Sequence, residues 1–411
     1  MVYLHEDIGI QAFRDGPASL DVDGWQVDYM SFCRPENTHK TPLIILGGAF
    51  QVFHSFINDV KAYLPHLPVI LVALPGQASN RDPKHAEALE LEDMSRILYG
   101  FMQRLKHPKV RLIGFSYGSL IAYDFAARYE ECLHQLVLSG CSLEMRHTLR
   151  ELMRIGAKSF TLENQAQVSE AISQSLFNIE ARDQTGLSLL LVERLTQSIR
   201  KLRERDIRDY QANTYRLLRS QLPLRLLKVS TLVLTAQYDH FVMPHESLAV
   251  TKHFTNHRFA LIEQGDHLVP LLSPQLVYRT ILAFLNEQSL EAPGVRVDQQ
   301  AKAIAAERRR SPRHESPRLP VMIHNEEGSS WSGQLHNISI HGAGVSIVTQ
   351  KEANLEGLWY LSIDGQDVRI PGFLSLRGGR ASFVFYRESF SVSEKIRDIV
   401  SHINPSLVHS A

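Results

Sequence analysis

The chain has 411 residues, and its 44 Lys and Arg are balanced by 44 Asp and Glu, so the formal net charge is zero. That length suggests two domains, and a neutral chain has no global attraction for a nucleic-acid polymer or an anionic membrane. Three cysteines (Cys33, Cys132, Cys141) are too few and too irregularly spaced for a disulfide or zinc framework, so no metal site is expected.

The opening "MVYLHEDIGIQAF" lacks a basic segment followed by an apolar run, and no apolar run approaches the roughly 20 residues needed to cross a bilayer. No secretory leader and a cytoplasmic location are expected. Short apolar runs then recur: "TPLIILGG", "LPVILVALPG", "VRLIGFS", "HQLVLSG", "STLVLTAQYD" and "HRFALIEQGDH". Several are nearly continuous in Leu, Ile and Val, as strands buried on both faces should be. Helix-period segments such as "DMSRILYGFMQRLKHP" and "SLIAYDFAARYEECL" lie between them. This alternation predicts an α/β domain over residues 1–285, a parallel sheet covered by helices.

The rhythm breaks from about residue 142 to about residue 228, where every segment is helical. A helical insertion late in such a sheet reads as a cap over the strand ends, where ligands of open α/β sheets bind. The leucines around Leu189–Val192 could line an acyl channel or pack the cap itself. Residues 286–306 contain Pro, Gly and polar side chains without a sustained apolar period, and read as a linker with a helical end. From 307 to 411 the pattern changes to short alternating strands with glycine turns, then a helical tail. That is the pattern of a small antiparallel barrel.

Two constellations carry chemistry. The first begins at "GFSYG", Gly114–Gly118, at the end of an apolar strand. Serine adds little to a core and glycine weakens both flanking elements. The arrangement makes sense if a sharp strand-to-helix turn displays Ser116 at its tip. A serine hydroxyl needs a base, and the base needs an orienting carboxylate. Asp239 follows the strand "STLVLTAQY" and His267 follows "RFALIEQG", giving the chain order Ser, Asp, His. Asp266 and Glu263 are rival acids, and His54 reads as a surface or pocket-wall residue. Backbone N–H groups for an oxyanion should come from Tyr117, just after the serine, and from Ala49 in the "GGAF" loop.

These residues resemble the α/β-hydrolase family over roughly the first 285 positions. The resemblance implies an eight-strand type of sheet and a Ser116–His267–Asp239 triad needing no cofactor. The chain departs from common members in having Gly47-Gly48 where His-Gly often stands, and Ala73 where an aspartate often starts the "PG" turn. A narrower likeness runs through "LGGAFQVFHSFINDVKAYLPHLPVILVALPGQAS", "QYDHF" and "GDHLVPLLSP". It is to the acyltransferase that joins 3-hydroxyacyl chains in bacterial surfactant biosynthesis, which implies an acyl ester or thioester substrate.

The second constellation is "ERRRSPRHE" with Arg308, Arg309, Arg310 and Arg313, followed by "NISIHG" with Asn337, Ser339 and Gly342. A solvated basic linker or a nucleic-acid-binding arm would also carry such charge. The pair Arg309 and Arg313 followed by N-x-S-x-x-G resembles the PilZ domain, which implies binding of cyclic di-GMP as a regulatory ligand. Guanidinium forks suit phosphates and planar bases. Two function classes follow: an acyl hydrolase or hydroxyacyl transferase regulated by cyclic di-GMP, and a non-catalytic adaptor responding to the same ligand.

Overall fold

The computed structural model of the chain describes residues 3–80, 82, 86–307, 314–316, 318–347, 355–366, 369–377 and 380–403. They form two compact units. One comprises residues 1–144 and 203–308, the other residues 145–202 and 309–411.

The first unit is built on a nine-stranded sheet: β1 (Ala18–Val22), β2 (Trp25–Phe32), β3 (Leu43–Leu46), β4 (Val69–Ala73), β5 (Val110–Phe115), β6 (Leu133–Ser139), β7 (Ser230–Ala236), β8 (His257–Ile262) and β9 (Val295–Val297). The spatial order is β1-β2-β4-β3-β5-β6-β7-β8-β9. The six strands from β4 to β8 run parallel, and the strands outside them pair antiparallel. β3 shows why the apolar runs are unbroken. Leu43 and Ile45 enter the core on one face while Ile44 and Leu46 enter the core on the other. Helices Leu91–Arg104 and Tyr117–Arg128 cover one face, and helix Pro274–Leu285 covers the other.

The stretch read as a linker with a helical end joins the sheet. It supplies β9, which pairs with β8, and helix Asp298–Ala305, which buries Ala301 and Ala305 against the same core. Its strand has three residues and its helix buries only alanines, too little apolar content to mark the stretch as core in the sequence. The sheet therefore has one strand more than the eight implied by family resemblance.

The second unit contains helices His147–Ser159, Gln165–Leu176 and Leu189–Arg200 from the insertion, and the C-terminal strands. These strands are β10 (His314–Glu315), β11 (Pro320–Asn325), β12 (Ser330–Ser339), β13 (Gly342–Ile347), β14 (Trp359–Ile363), β15 (Arg369–Arg377) and β16 (Arg380–Phe385). Six of them close a barrel in the order β12-β11-β14-β15-β16-β13, sealed by β12 pairing with β13, with β10 added beside β12. Closure removes the free sheet edges. Helix Phe390–Ile403 packs Ile396, Ile399 and Val400 onto the barrel core. The insertion expected as one cap is thus divided. Its first helices group with the barrel, while helix Glu204–Arg219 groups with the nine-stranded sheet. No described helix is long and apolar enough to cross a membrane.

Candidate active site

β5 ends at Phe115 and helix Tyr117–Arg128 begins two residues later, so the turn between them is a single residue, Ser116. Its φ of +49° lies in the left-handed region, where a side chain is strained by about 1–3 kcal/mol. The neighbouring glycines make the turn possible by close approach. A Cβ on Gly114 would run into the backbone of Gly118 and Ser119, and one on Gly118 would run into the carbonyl oxygen of Leu46. The Ser116 N–H donates to the carbonyl of Ser139 at 2.8 Å, tying the turn to β6.

Ser116 Oγ lies 2.9 Å from Nε2 of His267, and Nδ1 of His267 lies 2.9 Å from Oδ2 of Asp239. The Asp239 and His267 side chains are 2% and 1% exposed, so water does not screen this contact. The second carboxylate oxygen of Asp239 accepts N–H bonds from Phe241 and Val242, at 2.9 and 2.8 Å. The loops bearing the acid and the histidine are laced together, because Tyr238 N–H donates to Gly265 O. The rival acids are engaged elsewhere. Asp266 accepts from Leu268 N–H in its own turn, and Glu263 pairs with Arg296 at 2.8 Å. His54 stacks on Phe13 with ring centroids 4.0 Å apart.

On the opposite side of the serine, a Cβ on Gly48 would sit 3.5 Å from that of Ser116, which places the "GGAF" loop beside the nucleophile position. The Gly48 N–H is taken by Gln51 Oε1, and Ala49 is the next donor on this loop. Tyr117 is the first residue of its helix, so its N–H has no partner within that helix.

Helix Glu204–Arg219 contributes residues that sequence reasoning missed. Tyr210 stacks on Phe50 at 4.9 Å, Asn213 Nδ2 donates to Gly76 O at 2.7 Å, and Arg216 donates to the Tyr117 hydroxyl at 2.6 Å. Burial pushes the Tyr117 phenol up, and the Arg216 charge opposes that shift. Arg216 is one of four arginines in this helix, so the sequence carried no signal for this contact.

In the barrel, Asn337 and Ser339 lie on β12 and Gly342 opens β13 directly opposite Ser339. Ser339 is buried, and its hydroxyl donates to Gly342 O. Arg308, Arg309 and Arg313 lie outside the described residues. No group of three His, Cys, Asp or Glu side chains among the described residues is arranged to hold a metal ion.

A strand-end serine on a left-handed turn, bonded to a buried histidine and aspartate, joins the fold to a family pattern that spans residues 41–274. The chain belongs to the alpha/beta hydrolase fold family. Mouse epoxide hydrolase 4 is 25% identical over 272 residues, covering 61% of this chain and 74% of that protein. A poly(3-hydroxyalkanoate) depolymerase from Ectopseudomonas oleovorans is 29% identical over 107 residues, 26% of this chain and 37% of the relative. Among solved structures, the enol-lactonase from Burkholderia xenovorans superposes with a TM-score of 0.56 at 15% identity, over 66% of this chain and all of that one. An alpha/beta hydrolase from a Medee basin deep-sea metagenome library gives 0.55 at 16% identity, over 67% and 99%. These two share the fold.

Proposed function

We propose that the chain, an enzyme of the hydrolase type, cleaves acyl esters or thioesters with Ser116 as nucleophile, His267 as base and Asp239 as the orienting acid. The observation that carries this reading is the unbroken contact from Ser116 Oγ through His267 to Asp239, at 2.9 and 2.9 Å. His267 Nε2 takes the proton as Ser116 Oγ bonds to the carbonyl carbon, and the carbonyl electron pair moves onto oxygen. The N–H groups of Ala49 and Tyr117 are the donors for that oxyanion. Collapse expels the alcohol or thiol, which leaves with the proton from His267. Water then repeats the cycle on the acyl-enzyme.

The nucleophile argues for acyl over epoxide substrates despite the epoxide hydrolase relatives. A serine oxygen that opened an epoxide would leave an ether, which this machinery has no carbonyl to attack and release. The same oxygen on a carbonyl leaves an ester that water can cleave. The depolymerase relative and the likeness of "LGGAFQVFHSF" favour 3-hydroxyacyl groups, with transfer to a second hydroxy acid as the alternative fate of the acyl-enzyme.

Cyclic di-GMP is the regulatory ligand in this reading, bound by Arg309 and Arg313, with Arg308 assisting, against Asn337, Ser339 and Gly342. Support comes from strand register. Residues 314–315, which follow the arginine run, pair with Ile338 and Asn337. The described chain that follows Arg313 in sequence thus runs beside the strand that carries Asn337 and Ser339. Gly344, opposite Asn337, has no side chain, and a Cβ there would come within 2.7 Å of the Asn337 amide oxygen.

A fluorophosphonate tests the first half. It should label wild-type protein at Ser116 and leave Ser116→Ala unlabelled. Turnover of acyl esters and thioesters, with 3-hydroxy acids offered as acceptors, separates hydrolysis from transfer. Absence of both labelling and turnover would leave the non-catalytic adaptor.

A further inference from the structure

Arg216 is fully buried, yet no carboxylate pairs with it among the described residues. Glu90, on the facing loop, pairs with Arg219 instead. The Arg216 partners are all neutral: the carbonyls of Leu89 and Ala86, the amide oxygen of Asn213 and the hydroxyl of Tyr117. Burying a cation without a counter-charge is unfavourable, and such arrangements survive where the charge serves a site. Here the charge sits against Tyr117, whose amide borders the nucleophile. The same helix, two turns earlier, places Tyr210 on Phe50, the residue after Ala49. One helix thus grips Tyr117, which carries one oxyanion donor, and Phe50, the chain neighbour of the other.

We propose that Arg216 is the positioning residue of the oxyanion site, holding Tyr117 and, with Tyr210, keeping both amides aimed at the developing oxyanion. The inference rests on Ser116 being the nucleophile, which fluorophosphonate labelling checks separately.

The test uses the full chain, p-nitrophenyl butyrate, and the variants Arg216→Lys, Arg216→Gln and Tyr117→Phe. Arg216→Lys and Arg216→Gln should lower kcat by about ten- to a hundredfold, less than loss of a direct donor, with KM within about threefold. Tyr117→Phe keeps the amide and the ring but loses the bond to Arg216, and should lower kcat by about tenfold. Combined with Arg216→Lys it should add little, because both changes break one contact. A purely structural role predicts lower thermal stability with kcat intact below the transition. Folded Arg216→Lys with kcat within about threefold of wild type overturns the proposal, as does a loss confined to KM. If the Arg216 variants do not fold, Tyr117→Phe decides alone, and unchanged kcat overturns the proposal.

Discussion

Ser116 shows why a residue that does little for packing can be demanded by geometry. Its positive φ, its glycine neighbours and its bond to His267 are one arrangement seen at three levels: backbone strain, close helix-strand approach and a poised hydroxyl. Ser116→Ala should fold, since alanine fits the same space, and should lower turnover by on the order of 10⁶-fold. The acid is a sharper test. Asp239 reaches the ring nitrogen with one oxygen and takes two backbone N–H bonds with the other. Asp239→Asn would present an amide to Nδ1 and disturb the tautomer, at a loss of roughly 10⁴-fold in kcat. Asp266→Asn should have a far smaller effect, because its carboxylate serves its own turn. A greater loss in the Asp266 variant would mean that the acid has been misassigned.

At the scale of elements, what the sequence made legible was what carried strong periodicity. Continuous Leu, Ile and Val runs located β3 to β8, and the strand-end positions of Ser116, Asp239 and His267 followed from them. Weakly apolar elements escaped: β9 with three residues and β10 with two. Contacts made by polar side chains escaped as well, since nothing in composition tells a buried Arg216 from a solvated one. Asp59 is a case of the same kind. It lies on helix Ile57–Tyr63, facing Tyr278 of helix Pro274–Leu285, and is 5% exposed with Oδ1 unpartnered among the described residues. Burial pushes its carboxyl from 3.8 up to about 7, partly offset by a bond to its own backbone and one from Tyr278. The folded state therefore keeps a proton that the unfolded chain releases near pH 4. The stability this provides is complete below that pH and is lost as pH rises toward about 7. Asp59→Asn should match wild type near pH 4 and exceed it above pH 7 by a few kcal/mol, on the order of the several pKa units involved. Chemical denaturation at pH 4.5 and pH 8 measures both, and equal wild-type stability at the two pH values would rule the effect out.

At the scale of the whole chain, the insertion and the barrel belong to one compact unit although about 100 residues of the hydrolase core separate them in sequence. A ligand that binds the folded barrel should therefore stabilise the insertion too. At a hundredfold excess over Kd the linkage is about 2.7 kcal/mol. Added cyclic di-GMP should slow amide exchange in the barrel strands and also in helices His147–Ser159 and Gln165–Leu176. The slowing should be much weaker in β1 to β9, whose contacts lie in the other unit. Arg313→Ala should abolish most of this protection by weakening binding about ten- to a hundredfold, as expected for loss of a charge-assisted contact. Arg309→Lys should weaken binding as well, because an ammonium offers no planar fork to stack on a base or chelate a phosphate. A plain basic patch behaves otherwise. Lysine would be tolerated, simple polyanions would compete as well as the dinucleotide, and protection would stay local to residues near the arginines. Slowed exchange confined to the barrel, with the insertion helices unchanged, would show that ligand binding does not reach them.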